Sequence, residues 1–83
     1  MRLQAGMVVR AAAGKEQDNF YLIVKTDAGY VWIADGRHRT LEKPKRKNPK
    51  HVCPTQTIWN TDSMTDASLR KKLRLFKEGN KFV

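Results

Sequence analysis

The residues most able to do chemistry in this chain are cations concentrated in one short stretch. Between residues 37 and 51, here called the basic segment, seven side chains are Lys or Arg and Glu42 is the only acid. Pro44 and Pro49 favour an extended path, so the charges are presented in a row. An extended row of cations can follow phosphates along a strand and release their counterions. The candidate binding residues here are Arg37, Arg39, Lys43, Lys45, Arg46, Lys47, Lys50 and His51.

Two other interpretations of the basic segment stay open. Runs of like charge are also found in solvated loops and in nuclear-type basic addresses. The segment lies inside a folded context and not in a free tail, which favours a binding role.

A second cationic feature lies near the C-terminus, where the sequence has helical spacing. At 100° per residue, Arg70, Arg74 and Lys77 fall on one stripe, and Lys81 would extend it if the helix continued past Gly79. Like charges four residues apart destabilise a helix by a few tenths of a kcal/mol, so the stripe suits a phosphate-bearing partner. Cations near a helix C-terminus also complement its dipole, which explains Lys77 better than Arg70. Both interpretations stay open.

Aromatic side chains are the third candidate feature, because rings stack on nucleic-acid bases. Strand alternation places Tyr30 and Trp32 on one face and Val31 and Ile33 on the other, so one of these faces is expected to be core. Trp59 lies in a polar run and is the best candidate for an exposed ring. The full aromatic set is Phe20, Tyr21, Tyr30, Trp32, Trp59, Phe76 and Phe82.

The sequence gives little support for catalysis or for a bound metal. His38 and His51 lie in basic surroundings, with no readable nucleophile–base grouping and no Gly-rich phosphate loop. Cys53 is the only cysteine, so it cannot form an internal disulfide, and no zinc-ligand spacing accompanies it. We therefore expect a protein that is not an enzyme and needs no cofactor. Cys53 is expected to be a small, buried or half-buried residue in a reducing cytosol.

Size and charge limit the remaining possibilities. A chain of 83 residues with 40% apolar side chains is expected to fold as a single domain with a small core. Seventeen Lys and Arg against eight Asp and Glu give a net charge of +9, which favours a polyanionic partner. No apolar run approaches the roughly 20 residues of a membrane span, and the N-terminus has no signal-like pattern. The expected location is the cytoplasm, and the expected state is a monomer.

Short strands separated by turn signals must position these residues. Asp35-Gly36 is a strong signal for a type I′ hairpin, so a fourth strand should pair with the third, and Pro44 should end it. A short fifth strand should be stopped by Pro54. Closing such short strands into a small barrel removes exposed sheet edges. The predicted strands are Met7–Arg10, Phe20–Lys25, Tyr30–Ala34, Arg39–Lys43 and, as a short fifth, His51–Cys53.

The last element is predicted to be one amphipathic helix over residues 65–78. Leu69, Leu73 and Phe76 share its apolar face. Thr65 is a suitable N-cap, although Ser68 at the third helical position leaves the capping box incomplete, and Gly79 is the expected C-cap. The fold class is therefore mainly β, a small barrel of four to five antiparallel strands with a C-terminal helix. We divide the chain into a barrel with the basic segment, residues 1–57, and a linker with the packed helix, residues 58–83.

Several stretches resemble a known family. Val8-Val9-Arg10, Gly14 and the strand from Phe20 to Val24 resemble the KOW motif, in which a strand, a loop with a key glycine and a second strand follow one another. More specifically, Ala34-Asp35-Gly36 followed by the run from Leu41 to Asn48 is similar to small bacterial KOW-domain RNA-binding proteins. Those proteins are in turn similar to large-subunit ribosomal proteins of archaea and eukaryotes.

The resemblance implies an SH3-like barrel that binds structured RNA, ribosomal RNA above all, with ribosomal proteins as further possible partners. The chain departs from the family pattern at Gln17 and Asp18, where members carry a basic residue and a second glycine. Lys15 is then the main candidate for a phosphate contact in that loop, and Gly14 and Gly36 would shape the turns. A protein-interaction module of the transcription or translation machinery is the alternative. DNA binding ranks third, because no base-reading recognition helix is visible.

Overall fold

The computed structural model describes residues 3–12 and 19–80, and within them five antiparallel strands form one sheet with one α-helix after it. The elements are β1 (Met7–Ala11), β2 (Phe20–Asp27), β3 (Tyr30–Ala34), β4 (Lys45–Lys47), a 3-10 turn (Pro49–His51), β5 (Val52–Ile58) and α1 (Asp66–Asn80). The spatial order of the strands is β4-β3-β2-β1-β5, so the last strand lies beside the first. This mainly β class with a C-terminal helix confirms the predicted fold class.

The tight hairpin of the sheet joins β2 and β3. Asp27 pairs with Tyr30, and the two residues between them, Ala28 and Gly29, have φ of 50° and 84°. Positive φ at both positions is what a two-residue type I′ turn requires. Asp35-Gly36 is not such a turn, because only Gly36 has positive φ. The predicted hairpin at that dipeptide is wrong.

The fourth strand is displaced from its predicted position. Residues 39–43 form no strand, and β4 begins after Pro44, with Lys45 opposite Ile33 and Lys47 opposite Val31. Pro44 therefore precedes the strand that it was expected to end. Between β3 and β4 the chain leaves the sheet over residues 35–44, which we call the docking loop because it packs on α1, as described below.

The stretch after β4 is more regular than expected. Pro49 starts a single 3-10 turn, so the basic segment is not extended throughout. β5 then runs from Val52 to Ile58 and passes through Pro54, which lies opposite Val9. A proline lacks a donor, but an edge strand tolerates it because one side of the strand needs no partner. The predicted stop at Pro54 is therefore wrong.

Alternating residues of the strands feed two apolar clusters, one on each face of the sheet. The inner cluster contains Val9, Ile23 and Ile33, each fully buried, and other residues of the same face. The helix-facing cluster combines sheet residues from the opposite face, such as Val8 and Leu22, with Leu69 and Leu73 of α1. This packing confirms that one face of β3 is core and shows that it is the face of Val31 and Ile33. It also confirms Leu69, Leu73 and the half-buried Phe76 as the helix's apolar face.

The start of α1 has a reciprocal cap that sequence reasoning had judged incomplete. The backbone N of Ser68 donates to Thr65 Oγ1 at 3.1 Å, and the backbone N of Thr65 donates to Ser68 Oγ at 3.0 Å. Serine here does what Glu or Gln does in the usual capping box. The other end differs from prediction, because α1 passes through Gly79 to Asn80. Within the described residues, no helix has the length and apolar character that crossing a membrane requires.

Candidate functional site

The docking loop is folded back on itself by one carboxylate. Asp35 Oδ1 accepts hydrogen bonds from the backbone N of Arg37 at 2.8 Å and of Arg39 at 2.9 Å. The backbone N of Asp35 and of Gly36 donate in turn to the carbonyl oxygen of Arg39. Aspartate competes well for nearby backbone donors, which explains why this stretch forms a closed turn and not a strand. The consequence is that Arg37 and Arg39 are exposed at the tip of the turn.

Three contacts attach the docking loop to the first turns of α1. Arg70 Nη1 donates to the carbonyl oxygen of Gly36 at 2.7 Å, and the backbone N of Leu41 donates to Asp66 Oδ1 at 2.8 Å. Leu41 also packs against the helix-facing cluster. At Gly36 the backbones approach so closely that a Cβ would overlap the carbonyl oxygen of Asp66. The loop and the helix are therefore held in a defined relative position.

Between the docking loop and α1 lies an open groove of about 1240 Å³, here called the basic groove. Two cations come from the loop and four from successive turns of the helix. Among the described residues, Asp35 is the one acid on the lining, and its Oδ1 already accepts two backbone hydrogen bonds. The lining cations are Arg37, Arg39, Arg70, Lys71, Arg74 and Lys77, and the side chain of His38 also lines the groove.

The cations of the basic groove are positioned in two different ways. Arg70 is fixed across the groove by Gly36, and Lys77 Nζ donates to Asn19 Oδ1 at 3.3 Å. In the part of the chain that the structure describes, the side chains of Arg37, Arg39, Lys71 and Arg74 form no such bond. A cleft lined by one sign of charge with low-dielectric walls focuses the field and concentrates counterions. The arrangement suits an extended anion that spans loop and helix.

The structure places the sequence-predicted residues in three locations. Arg37 and Arg39 of the basic segment meet Arg70 and Arg74 of the helix stripe in the basic groove, which unites two features far apart in sequence. The remaining candidate residues of the segment do not line this groove. Lys15, like Gly14, falls outside the described residues. Those remaining residues are Lys43 on the docking loop, Lys45, Arg46 and Lys47 on β4, and Lys50 and His51 in the 3-10 turn.

Sequence reasoning missed Lys71, which lies beside the predicted helix stripe and not on it. It lines the groove because the docking loop reaches over the first turns of α1. That position depends on the Gly36 and Leu41 contacts, which join residues 25 or more positions apart. The one available signal in the sequence was Gly36, directly before the basic segment, because glycine permits close approach of two backbones.

Trp59, the best candidate for an exposed ring, is not an exposed side chain. Its ring is half-buried and packs edge-on against Phe76, with ring centroids 5.9 Å apart. Lys72 Nζ lies 5.1 Å from the Trp59 ring on the side of α1 that faces away from the groove lining. Trp59 is therefore a packing residue that closes one side of the helix-facing cluster.

Neither a search for metal-ligand clusters nor a comparison with known proteins assigns a function to the site. Across residues 3–12 and 19–80, no three His, Cys, Asp or Glu side chains come together as metal ligands would. Cys53 is half-buried and free, with Arg10 Nη2 3.6 Å from its sulfur. Comparison with known proteins finds no match for this chain, either among models of protein families or among curated proteins. The KOW resemblance thus remains a prediction from the residues that carry it.

Proposed function

We propose that this protein is a non-catalytic RNA-binding module that takes the backbone of structured RNA into the basic groove. The observation that carries the proposal is the convergence of six cations from the docking loop and α1 on one groove, where Asp35 is the single acid that the described residues contribute. Like charges brought this close repel one another in the free protein. A polyanion removes that repulsion and releases its own counterions at the same time.

Contacts from six cations to phosphates would make the affinity for RNA strongly dependent on salt. If all six cations reach phosphates, log K should fall against log salt with a slope of about −4 to −5. Between about 50 and 200 mM salt, such a slope lowers affinity about 250- to 1000-fold. Contacts between the docking loop and α1 fix the two walls of the groove relative to each other. A groove of fixed shape favours a regular phosphate backbone over a flexible polyanion.

The choice of RNA over other polyanions comes from the KOW resemblance, which also points to ribosomal RNA and to a cytoplasmic, ribosome-associated protein. Helix α1 lies on the sheet, with its cations along one side of the groove and not on a protruding recognition face. DNA recognition through the major groove uses an inserted helix with base-reading side chains. Affinity for structured RNA should therefore exceed affinity for duplex DNA of the same length at one salt concentration.

Two neighbouring lysines on α1 offer a matched test. Lys71 lines the basic groove, whereas Lys72 lies over Trp59. Lys71→Gln should reduce the salt slope for a ribosomal RNA hairpin by about 1, while Lys72→Gln leaves it unchanged. Both slopes can be measured by fluorescence anisotropy. Equal slopes for the two variants would contradict binding in the groove.

The alternative protein-interaction module predicts a different outcome for the same chain. Replacing Arg37 and Arg74 together by Gln should abolish most RNA affinity if the groove binds RNA. If the protein instead binds ribosomal or transcription proteins through its uncharged surfaces, RNA affinity is weak from the start and the double variant changes nothing. Circular dichroism of the variant checks that the fold is retained.

A further inference from the structure

A second cationic surface combines rings and charges on the outer face of β2, β3 and β4. Trp32 lies directly opposite Lys25 on one side and opposite Arg46 on the other, so the three form one row across the strands. Lys25 Nζ lies 4.7 Å from the Trp32 ring centre, and the guanidinium carbon of Arg46 lies 4.7 Å from that of Tyr30. We call these four residues the aromatic row.

The aromatic row is accessible. Tyr30 is 40% exposed, Lys25 and Arg46 are exposed, and Trp32 is half-buried. The row also opens on the same side of β3 as the helix-facing cluster, because Tyr30 and Trp32 alternate in step with Ala34, which packs under α1. From Tyr30 to Asp35, at the edge of the basic groove, β3 covers about 16 Å at about 3.3 Å per residue.

The chemistry of the row differs from that of the groove. The groove presents six cations, and its rings Phe20 and Tyr21 are packed into the fold, which suits a phosphate backbone. Tyr30 is exposed and paired with a guanidinium, which suits bases. Unpaired bases stack on aromatic rings and on arginine planes, and each stacked base contributes substantially to affinity. Bases inside a duplex are already stacked on one another and cannot use such a surface. The two surfaces therefore fit different parts of one RNA.

We propose that the aromatic row binds unpaired nucleotides next to the duplex held in the basic groove, so that the protein recognises a junction between helical and single-stranded RNA. Tyr30 with Arg46 provides the stacking platform, and Lys25 pairs with a phosphate of the unpaired strand. This inference rests on the proposed function of the groove and adds the class of RNA that it selects.

The test compares two RNAs that share one duplex of about 16 base pairs. One RNA is blunt-ended, and the other carries a tail of about six unpaired nucleotides, a length typical of single-strand binding sites. The tail is tested at the 5′ end and at the 3′ end. Tyr30→Ala should weaken binding of the tailed RNA about 5- to 100-fold and leave the blunt duplex unchanged. Tyr30→Phe keeps the ring and should retain most of the affinity. The Trp59→Phe variant keeps one tryptophan, Trp32. Adding the tailed RNA to this variant should change the fluorescence emission of Trp32, and adding the blunt duplex should not.

The outcomes separate the two proposals. If Lys71→Gln with Arg74→Gln weakens both RNAs and Tyr30→Ala weakens neither, the junction inference is wrong and the groove proposal stands. If Tyr30→Ala weakens both RNAs equally, the ring does not select unpaired nucleotides and the inference is also wrong. If the double variant Lys71→Gln, Arg74→Gln binds both RNAs as tightly as the unaltered protein, the proposed function itself fails, whatever the result at Tyr30.

Discussion

Replacing Gly36 by alanine tests whether the docking loop is held against α1 as described. Gly36 has a φ of 77°, where an alanine costs about 1 kcal/mol. Its Cβ would also overlap the carbonyl oxygen of Asp66 and lie 3.2 Å from Arg70 Cγ. Since both partners belong to a packed helix, the loop must move, which adds about 2 kcal/mol of overpacking and loss of the Arg70 hydrogen bond. We expect a total loss of about 3 kcal/mol in the free energy of unfolding.

Gly29 provides the matched control for this substitution. Its φ of 84° is similar, but a Cβ there would meet nothing within 4 Å. Gly29→Ala should therefore lower the melting temperature by about 4–8 °C, and Gly36→Ala by about 12–24 °C. Thermal unfolding followed by circular dichroism measures both. Equal losses at the two positions would refute the close approach of loop and helix and, with it, the fixed shape of the groove.

The remaining predictions concern stability. Thr65→Ala should cost about 1 kcal/mol in urea unfolding, because it removes the reciprocal cap with Ser68; no loss would show that the cap is not formed. Leu69→Ala should cost about 2–5 kcal/mol, since the side chain is fully buried, whereas Leu75→Ala at 53% exposure should change stability by less than about 0.5 kcal/mol. Trp32→Phe should cost less than about 1.5 kcal/mol, because the buried Trp32 Nε1 has no hydrogen-bond partner among the described residues; a larger loss would mean that this nitrogen is satisfied.

The sequence predicts most of the sheet well where local patterns decide the structure. β3 begins and ends as predicted, and β1 and β2 differ from prediction only at their C-terminal ends. Alternation also predicted correctly that one face of this strand is core, and the structure shows that it is the face of Val31 and Ile33. The errors lie where a side chain or another strand overrides a local signal. At Asp35-Gly36, a carboxylate that bonds two backbone donors replaces the expected hairpin.

Long-range contacts explain the part of the site that could not be predicted. Charge clustering identified Arg37, Arg39, Arg70 and Arg74 as candidates, but not that they face one another. Their convergence depends on Gly36 receiving the Arg70 guanidinium and on Asp66 receiving the Leu41 amide, across 34 and 25 residues of chain. Likewise, the strand through Pro54 exists because β5 pairs with β1 at an edge of the sheet, a position that no local pattern reveals.

The most direct test of the central claim is a salt titration of RNA binding by the full chain. A ribosomal RNA hairpin with an unpaired extension is titrated by fluorescence anisotropy between about 50 and 200 mM KCl. The account predicts a slope of log K against log salt of about −4 to −5 for the unaltered protein. Replacing Arg37 and Arg74 by Gln should reduce the magnitude of this slope by about 2. A slope near zero for the unaltered protein would contradict RNA binding by phosphate neutralisation in the basic groove.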